Sequence, residues 1–202
     1  ALLISVNPEI LSPWEKITKR IVDVLLSILA ILILLPVFIL LSFLIKTGSK
    51  GPIIFKQKRI GLYGNPFWIF KFRSMITEAE KDGPQLSSQN DPRITAIGKF
   101  MRKTRLDETP QFFNVIKGDM ALVGPRPERE YYIEKIVAKA PHYKHVLKVK
   151  PGITSWGQIK FGYAENVDEM VARLKFDLLY VENMSLSLDV KILFYTAIIM
   201  IK

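Results

Sequence analysis

Two adjacent carboxylates, Asp107 and Glu108, are the residues of this sequence best suited to chemistry. They follow Arg105 and begin a stretch that ends at Gly118 and predicts a short helix, with a buried face of Phe112, Phe113, Val115 and Ile116. Asp107 is predicted to cap this helix, where free N–H groups and the helix dipole favour an ionised carboxylate. An ionised Asp107 can act as a nucleophile, and Glu108 can hold a divalent cation such as Mg²⁺. An ordinary helix cap has the same pattern, so both interpretations stay open here.

Cationic residues that could bind phosphate occur at two other places. Arg126 lies between Pro125 and Pro127, which restrict the backbone and would hold the guanidinium in one position. Lys71 and Arg73 alternate along a predicted strand, so they are expected on the same face. Each place has a plainer alternative, which is a rigid turn with a solvated arginine or the wet face of an edge strand.

The elements that must position these residues are mostly helical. Strands are predicted at 51–61 and 66–73, joined by the turn residues Gly64, Asn65 and Pro66. Helices are predicted at 76–88 (a short helix that leads into a mobile loop), 97–104, 128–138, 168–182 and 189–202. A doubly wound nucleotide-binding fold is not expected, because βαβ alternation and a Gly-rich phosphate loop are missing from the sequence. The prediction is an α+β fold, mainly helical, with a small β-hairpin.

Residues 24–45 form an almost wholly apolar run with Pro36 near its middle. A helix over this run would rise about 33 Å, enough to span a bilayer. Pro36 removes a backbone donor and crowds the preceding turn. The two arms at 22–35 and 37–45 would reach only about 21 Å and about 14 Å, so neither crosses the hydrocarbon core alone.

Basic residues flank the apolar run on both sides, and the positive-inside tendency places both flanks in the cytoplasm. A helix that enters the membrane, breaks at Pro36 and returns would satisfy this. A kinked transmembrane helix is the alternative, and the residues alone leave both open. The predicted organisation is an N-terminal segment at 1–11, a re-entrant membrane helix at 12–47 and a cytosolic domain at 48–202. The last apolar stretch of that domain is too short to span a membrane; it could pack on the domain, and the prediction is a helix that lies in the interface.

The charge balance of the chain points to an anionic partner. Lys and Arg total 29 against 19 Asp and Glu, which gives a formal net charge of +10 over 202 residues. Nucleic acid, anionic lipid and a phosphate-bearing substrate all fit this charge, and charge alone does not choose among them. The sequence has no Cys, which excludes disulfides, thiolate metal sites and cysteine nucleophiles.

An ordered set of motifs extends along nearly the whole chain, from about residue 16 to residue 202. In one-letter code the motifs are KRIVD (19–23), GPIIFKQ (51–57), KFRSM (71–75), LDETPQFFNVIKGDM (106–120), VGPRPER (123–129) and KPGIT (150–154). The last block consists of Phe176, Asp177, Tyr180, Asn183, Ser185 and Asp189. In this order they resemble the bacterial sugar transferase family, the monotopic phosphoglycosyl transferases. The PER continuation at 127–129 is similar to the exopolysaccharide-type members.

The resemblance implies roles for individual residues. Asp107 matches the nucleophile that attacks the diphosphate of a UDP-sugar, and Glu108 matches its acidic partner at a Mg²⁺ site to which both carboxylates belong. The cationic positions near the phosphates are matched by Lys71, Arg102 and Arg126, with Arg73 as a similar position.

Other matched positions concern support and membrane insertion. Asp177 and Asp189 match acidic motif positions with a structural or supporting role. Pro36 matches the break that makes the membrane helix re-entrant in this family. Gln158 lies in the run SWGQIK (155–160), which departs from the family's usual residues and is a place where sugar preference could be set.

The implied reaction transfers a sugar-1-phosphate from a UDP-sugar to polyprenyl (undecaprenyl) phosphate and releases UMP, through a covalent phosphosugar on Asp107. Such an enzyme would start glycoconjugate or exopolysaccharide assembly among the lipids of the bacterial inner membrane, with its catalytic domain on the cytoplasmic face. Two alternatives stay open: the same reaction in a non-covalent ternary complex, and a non-enzymatic, basic, membrane-anchored binding protein. No nucleic-acid partner is expected, and a homo-oligomer is left open.

Overall fold

The structure is a computed structural model and describes residues 11–79, 81, 83–86 and 91–201. The predicted N-terminal segment at 1–11 lies outside the described residues except for Leu11, which is buried. Within the described ranges the chain is mainly helical with a small antiparallel hairpin. This confirms the predicted fold class.

A 36-residue helix, α1 (Pro13–Gly48), opens the fold. Ser12 and Glu15 form a reciprocal cap, in which Ser12 Oγ accepts the Glu15 N–H at 3.4 Å and the Glu15 carboxylate accepts the Ser12 N–H at 2.9 Å. The helix rises about 54 Å, and only 11% of its most apolar 18-residue window is buried against protein. Because this apolar surface has so little protein cover, α1 is suited to anchor the chain in a membrane.

The helix α1 stays helical through Pro36. The break expected there is therefore not a loss of helical structure. A proline inside a helix removes one backbone hydrogen bond and typically bends the axis without ending the helix. A re-entrant path through such a bend stays a prediction.

Strands β1 (Ile54–Ile60) and β2 (Pro66–Phe72) form the predicted antiparallel hairpin. A 3₁₀ turn at Leu62–Gly64 closes it, and Gly64 enters the left-handed region (φ +80) without the steric cost of a Cβ. Lys71 lies one residue before the end of β2, and the strand's alternation directs it away from the core that its neighbour fills.

Six further α-helices follow in the described residues, namely α2 (Ala96–Lys103), α3 (Gln111–Lys117), α4 (Glu130–Lys139), α5 (Trp156–Lys160), α6 (Val167–Glu182) and α7 (Leu186–Ile201). Of these, α2, α4, α6 and α7 agree with predicted helices. Two three-residue strands, β3 (Ala121–Val123) and β4 (Gly152–Thr154), pair in parallel. The sequence missed this pair because strands of three residues carry no periodic pattern.

The turn that carries the acid pair differs from the prediction. Asp107 does not cap a helix, because Leu106–Glu108 form a 3₁₀ turn and α3 begins only at Gln111. Pro110 has no N–H to bond the Leu106 carbonyl, which instead accepts the Thr109 hydroxyl at 2.7 Å. Thr109 and Pro110 separate this turn from α3.

Two further predictions fail in this region and upstream of it. Of the predicted buried face of α3, Val115 is fully buried but Phe113 is 46% exposed. The described residues of the predicted helix 76–88 form turns and irregular structure, and Gly83 has φ +98, which helices do not contain. The predicted mobile loop lies partly outside the described residues.

Two buried clusters form the body of the domain, and α6 belongs to both. The first surrounds Val115 and Ile192 and joins β2, α3, β3, α6 and α7. The second surrounds Ile136 and Leu174 and joins α4, a 3₁₀ segment at Pro141–Lys148 and α6. The shared helix makes these clusters one continuous support for the site.

A third buried cluster attaches the end of α1 to the domain. Ile45 of α1 packs with Phe72 of β2 and Met101 of α2. Phe72 follows Lys71, and Met101 precedes Arg102. The end of α1 and two of the predicted phosphate-binding residues are therefore held by the same packing contacts.

Candidate active site

Asp107 and Glu108 are both buried, each with 7% of its surface exposed. The 3₁₀ turn places them side by side at the junction between α2 and α3. Burying two neighbouring carboxylates is costly unless cations or hydrogen bonds compensate their charge.

Glu108 has two cationic partners on one oxygen. Its Oε1 lies 2.6 Å from Lys71 Nζ and 3.4 Å from the Arg126 guanidinium. Burial acts to raise the pKa of Glu108, but the charges of Lys71 and Arg126 outweigh it and hold that pKa well below its usual range. Glu108 is therefore ionised, and Lys71 and Arg126 compensate its negative charge.

Asp107 is in the opposite situation. Its carboxylate accepts no hydrogen bond from the part of the chain that the structure describes. Burial and then the neighbouring Glu108 charge raise the pKa of Asp107 to about 6, although Lys71 and Arg102 act to lower it. Asp107 is still mainly ionised at neutral pH. Surrounding cations favour this ionised form, in place of the helix N-terminus that the sequence predicted.

Asp107 faces a cavity of about 270 Å³. Besides Asp107, the cavity has Glu128 as its acidic wall residue, whereas its cationic wall residues are Arg59, Lys71, Arg73, Arg93, Arg102, Arg126, Arg129 and Arg173. Such an excess of positive charge in a partly enclosed space favours a polyanionic ligand such as a diphosphate.

Lys71, Arg102 and Arg126 are brought to one cavity with Asp107 although they lie far apart in the chain. Arg102 is fixed on α2 by a 3.0 Å hydrogen bond from its Nε to Ser74 Oγ. Lys71 and Arg126 belong to separate motifs and Arg102 is assigned through the family resemblance alone, and the fold places all three together.

Arg73 lines the cavity, as its predicted role requires, and it also binds the end of α1. Its guanidinium donates to the carbonyls of Ile45, Ser49 and Lys50 at 2.7 to 3.2 Å, and also to Ser49 Oγ at 2.9 Å. These acceptors lie in and just after the last turn of α1, where carbonyls lack helical partners. Arg73 therefore joins α1 to the domain, and its assignment to phosphate stays a prediction.

Asp177 belongs to a buried network behind the cavity. It accepts the Gly157 N–H at 3.2 Å and lies 3.9 Å from Arg173, which in turn binds Glu128 at 2.6 Å. Arg59 holds Glu128 from the other side at 3.3 Å. Burial raises the pKa of Asp177 to about 6, against the lowering charge of Arg173. The supporting role predicted for Asp177 has these contacts in its favour.

Asp189 connects α7 to the start of α1. Its carboxylate pairs with Lys19 and accepts the Tyr180 hydroxyl at 2.8 Å. Lys19 also donates to the Val123 carbonyl at 3.2 Å, so the contact reaches β3 as well.

Gln158 lies in α5, outside the residues that line the cavity. Its backbone N–H donates to the Ser155 hydroxyl at 3.0 Å, while its side-chain Oε1 is buried without a hydrogen bond in the described structure. The structure therefore puts Gln158 behind the site, with no contact that bears on sugar preference.

Sequence reasoning missed Arg59, Arg173 and Tyr163, all of which line the cavity. Arg59 and Arg173 occur in predicted regular elements with no motif around them, so only tertiary contacts reveal them. Tyr163 follows Gly162 in an irregular connection, and its ring lies near the guanidiniums of Arg105 and Arg126. Tyrosine in a polar loop carries no signal by itself.

The described residues contain no cluster of three or more Asp, Glu, His or Cys side chains suited to a metal ion. Mg²⁺, however, is often bound by one or two carboxylates together with substrate phosphates and water. Asp107 and Glu108 offer such a pair, because both ionic contacts of Glu108 go to Oε1 and leave Oε2 to a ligand. The donor set thus fits a Mg²⁺ ion brought in with a diphosphate.

A sequence model of the family described as "Bacterial sugar transferase" matches residues 14–202. The chain belongs to this family. The match starts at the beginning of α1 and includes the acid pair and the cationic cavity, so the family accounts for nearly all of the described chain.

Three relatives illustrate the range of the family. A UDP-N-acetylgalactosamine-undecaprenyl-phosphate N-acetylgalactosaminephosphotransferase of Aeromonas hydrophila is 42% identical, over 92% of this chain and 44% of its own length. A UDP-glucose:undecaprenyl-phosphate glucose-1-phosphate transferase of Escherichia coli (strain K12) is also 42% identical, over 92% of this chain and 40% of its own length. An undecaprenyl-phosphate galactose phosphotransferase of Salmonella typhimurium is 35% identical, over 100% of this chain and 44% of its own length. The chain thus spans about two fifths of the length of these relatives, whose names specify three different sugars.

Proposed function

We propose that this chain transfers a sugar-1-phosphate from a UDP-sugar to polyprenyl (undecaprenyl) phosphate and releases UMP, which would start glycoconjugate or exopolysaccharide assembly. The observation that carries the proposal is the contrast within the acid pair. Glu108 is neutralised by Lys71 and Arg126, whereas Asp107 faces a cationic cavity and accepts no hydrogen bond from the described residues. The names of the relatives support the substrate classes.

In the first step, an oxygen of Asp107 attacks the phosphorus next to the sugar. The bond from this phosphorus to the bridging diphosphate oxygen breaks, and UMP leaves with the electron pair. An acyl phosphate then links Asp107 to the sugar. Lys71, Arg102 and Arg126 surround this position and offset the negative charge that develops on the phosphoryl oxygens.

In the second step, a phosphate oxygen of the polyprenyl phosphate attacks the same phosphorus. The acyl–phosphorus bond breaks, the Asp107 carboxylate is restored, and polyprenyl-diphosphate-sugar is released. No proton has to be removed, because the attacking phosphate oxygen is already anionic. A covalent intermediate of this kind leads to ping-pong kinetics.

Asp107 and Glu108 are the residues that would hold Mg²⁺. When bound, the ion would neutralise part of the diphosphate charge and so assist departure of UMP. The cationic side chains of the cavity share this task and hold the substrate phosphates in place.

The proposed location is the cytoplasmic face of the bacterial inner membrane. The apolar and largely uncovered α1 supports membrane insertion, and the basic residues on both of its flanks support a re-entrant path bent at Pro36. Along α7, Val190 and Phe194 are 67% and 65% exposed, which supports an interfacial position for this helix. The site would then lie near the lipid headgroups, where a polyprenyl phosphate is presented.

Intact-mass spectrometry of the full chain with Mg²⁺ and single UDP-sugars, without lipid acceptor, tests the proposal. The expected result is a sugar-phosphate adduct with stoichiometric UMP, absent in Asp107→Asn and retained in Asp168→Asn, which removes an exposed carboxylate on α6. Turnover with lipid but without an adduct would favour the ternary-complex reaction and remove Asp107 as nucleophile. If no donor gives either an adduct or turnover, the proposed function is refuted.

A further inference from the structure

Tyr163 occupies an unusual position at the rim of the active-site cavity. It follows Gly162, which has φ +90, in the connection between α5 and α6. Its side chain lines the cavity with Asp107 and is 54% exposed. The next residue, Ala164, is buried in the second hydrophobic cluster and fixes the backbone there.

The Tyr163 ring contacts two arginines at once. Its centroid lies 4.8 Å from Cζ of Arg105 and 5.7 Å from Cζ of Arg126. Arg126 has an additional partner in Glu108, at 3.4 Å. Two guanidiniums near one ring repel each other, so their proximity needs compensation by the ring and by negative charge.

Arg105 depends on the ring more than Arg126 does. Its guanidinium has no hydrogen bond to the described residues, and the Tyr163 ring is its observed side-chain contact there. Its backbone is left-handed (φ 58), a conformation that is unfavourable for a residue with a Cβ and persists where neighbouring structure imposes it. A half-buried guanidinium two residues from Asp107 thus keeps its donors available.

Stacking on a ring leaves the edge of a guanidinium free, and the hydrogen-bond donors lie on that edge. The donors of Arg105 and Arg126 can therefore bind phosphate oxygens while their faces stay against Tyr163. An incoming diphosphate would also supply the negative charge that two neighbouring arginines lack.

We infer that Tyr163 is a positioning residue that holds Arg126 in the wall of the cavity and Arg105 beside it, where both bind the diphosphate of the sugar donor. This inference rests on the proposed function and adds Arg105 to the substrate-binding residues. Tyr163 acts only through the arginines, so it affects donor binding more than the transfer steps.

Steady-state kinetics of UMP release with a UDP-sugar and a polyprenyl phosphate test the inference. Tyr163→Leu removes the ring and should raise the donor KM about tenfold, within the range of a cation–π contact, with kcat changed less than about threefold. Tyr163→Phe keeps the ring face and should recover most of the donor affinity. Arg105→Ala should raise the donor KM similarly, and the Arg105→Ala/Tyr163→Leu double variant should be little worse than either single variant.

Tyr131→Leu is the matched control. Tyr131 is a 42% exposed tyrosine on α4 with Lys135 Nζ 4.1 Å from its ring centroid, and it does not line the cavity. This variant should keep the wild-type donor KM. Thermal unfolding of each variant shows whether the fold is intact, and the Phe variant keeps the test valid if Tyr163→Leu proves unstable.

Three results would overturn the inference. The donor KM could be unchanged in Tyr163→Leu, or Tyr163→Phe could lose as much donor affinity as Tyr163→Leu. The effects of the Arg105 and Tyr163 substitutions on the donor KM could also be additive. If the wild type releases UMP from no UDP-sugar, the proposed function fails separately. Calorimetric binding of UDP alone then decides the inference. About tenfold weaker binding by Tyr163→Leu than by wild type would support it, and equal or absent binding would overturn it.

Discussion

Lys71→Met removes the cation nearest to the acid pair while keeping the length and apolar stem of the side chain. In the structure, Lys71 Nζ lies 2.6 Å from Glu108 Oε1, and the two side chains are only 16% and 9% exposed. The substitution leaves two adjacent buried carboxylates with one fewer compensating charge. Both stability and the ionisation of Asp107 are therefore expected to change.

The size of the stability loss follows from burial of the pair. Removing one partner of a buried ion pair costs about 3 to 5 kcal/mol, because the other charge stays buried without compensation. Arg126 remains 3.4 Å from the same Glu108 oxygen, which places the expected loss at the lower end, about 3 kcal/mol. For a chain of this size that loss lowers Tm by roughly 6 to 12 °C.

The assay compares thermal unfolding at pH 7.5, in one detergent or lipid preparation, of wild type, Lys71→Met, Glu108→Gln and the double variant. The double variant should regain part of the stability, because Glu108 no longer buries a charge that has lost Lys71, although Arg126 then loses its carboxylate partner; it should not regain transferase activity. Lys58→Met, an exposed lysine on β1 of the same hairpin, is the control and should unfold like wild type.

The acid limb of UMP release should also move to higher pH in Lys71→Met, because the Lys71 charge helps to hold down the pKa of Asp107. A Lys71→Met variant that unfolds within about 2 °C of wild type and keeps full activity would refute this account of the acid pair.

Three other predictions concern separate parts of the molecule. Because the pKa of Asp107 is raised to about 6 and attack requires the ionised form, single-turnover UMP release should be half-maximal near pH 6 and fall about tenfold per unit below it; a rate that stays flat to pH 5 would contradict this. Burial raises the pKa of Asp177 from 3.8 to about 6, so the group costs no stability below pH 3.8, destabilises the fold progressively as pH rises towards 6, and has its full effect above that. Denaturant unfolding should therefore show Asp177→Asn gaining about 3 kcal/mol relative to wild type between pH 4 and pH 7, and a pH-independent difference would disprove it. Arg73→Met should cost roughly 3 kcal/mol by leaving carbonyls at the end of α1 without a donor, as measured by thermal unfolding, whereas an unchanged Tm with a raised donor KM would restore its predicted role at the phosphates.

The elements that the sequence predicted well depend on local patterns. The β-hairpin follows from apolar strands around Gly64, and α1 follows from its long apolar run. These features are determined by backbone preferences and by spacing within a few turns, so neighbouring residues suffice to specify them. The three-residue strands β3 and β4 lack such a pattern and form only because distant segments meet.

The same distinction explains the errors at the site. Asp107 has the pattern of a helix cap, but it lies in a 3₁₀ turn that ends before α3 begins at Gln111. Arg73 looked equivalent to Lys71 because both alternate on one strand. The end of α1 offers unpaired carbonyls to Arg73, whereas Lys71 meets Glu108. Neither partner is close in sequence.

By itself, the sequence determined which residue types are available, the apolar anchor and the ordered motifs that mark the family. Only the tertiary structure decided the electrostatic state of each acid and the partner of each cation. Burial and distance set these properties, because a charge interacts strongly only over a few ångströms and in the absence of water. Asp107 and Glu108 are neighbours of like chemistry in the chain. The fold gives one of them Lys71 and Arg126 and leaves the other facing the cavity.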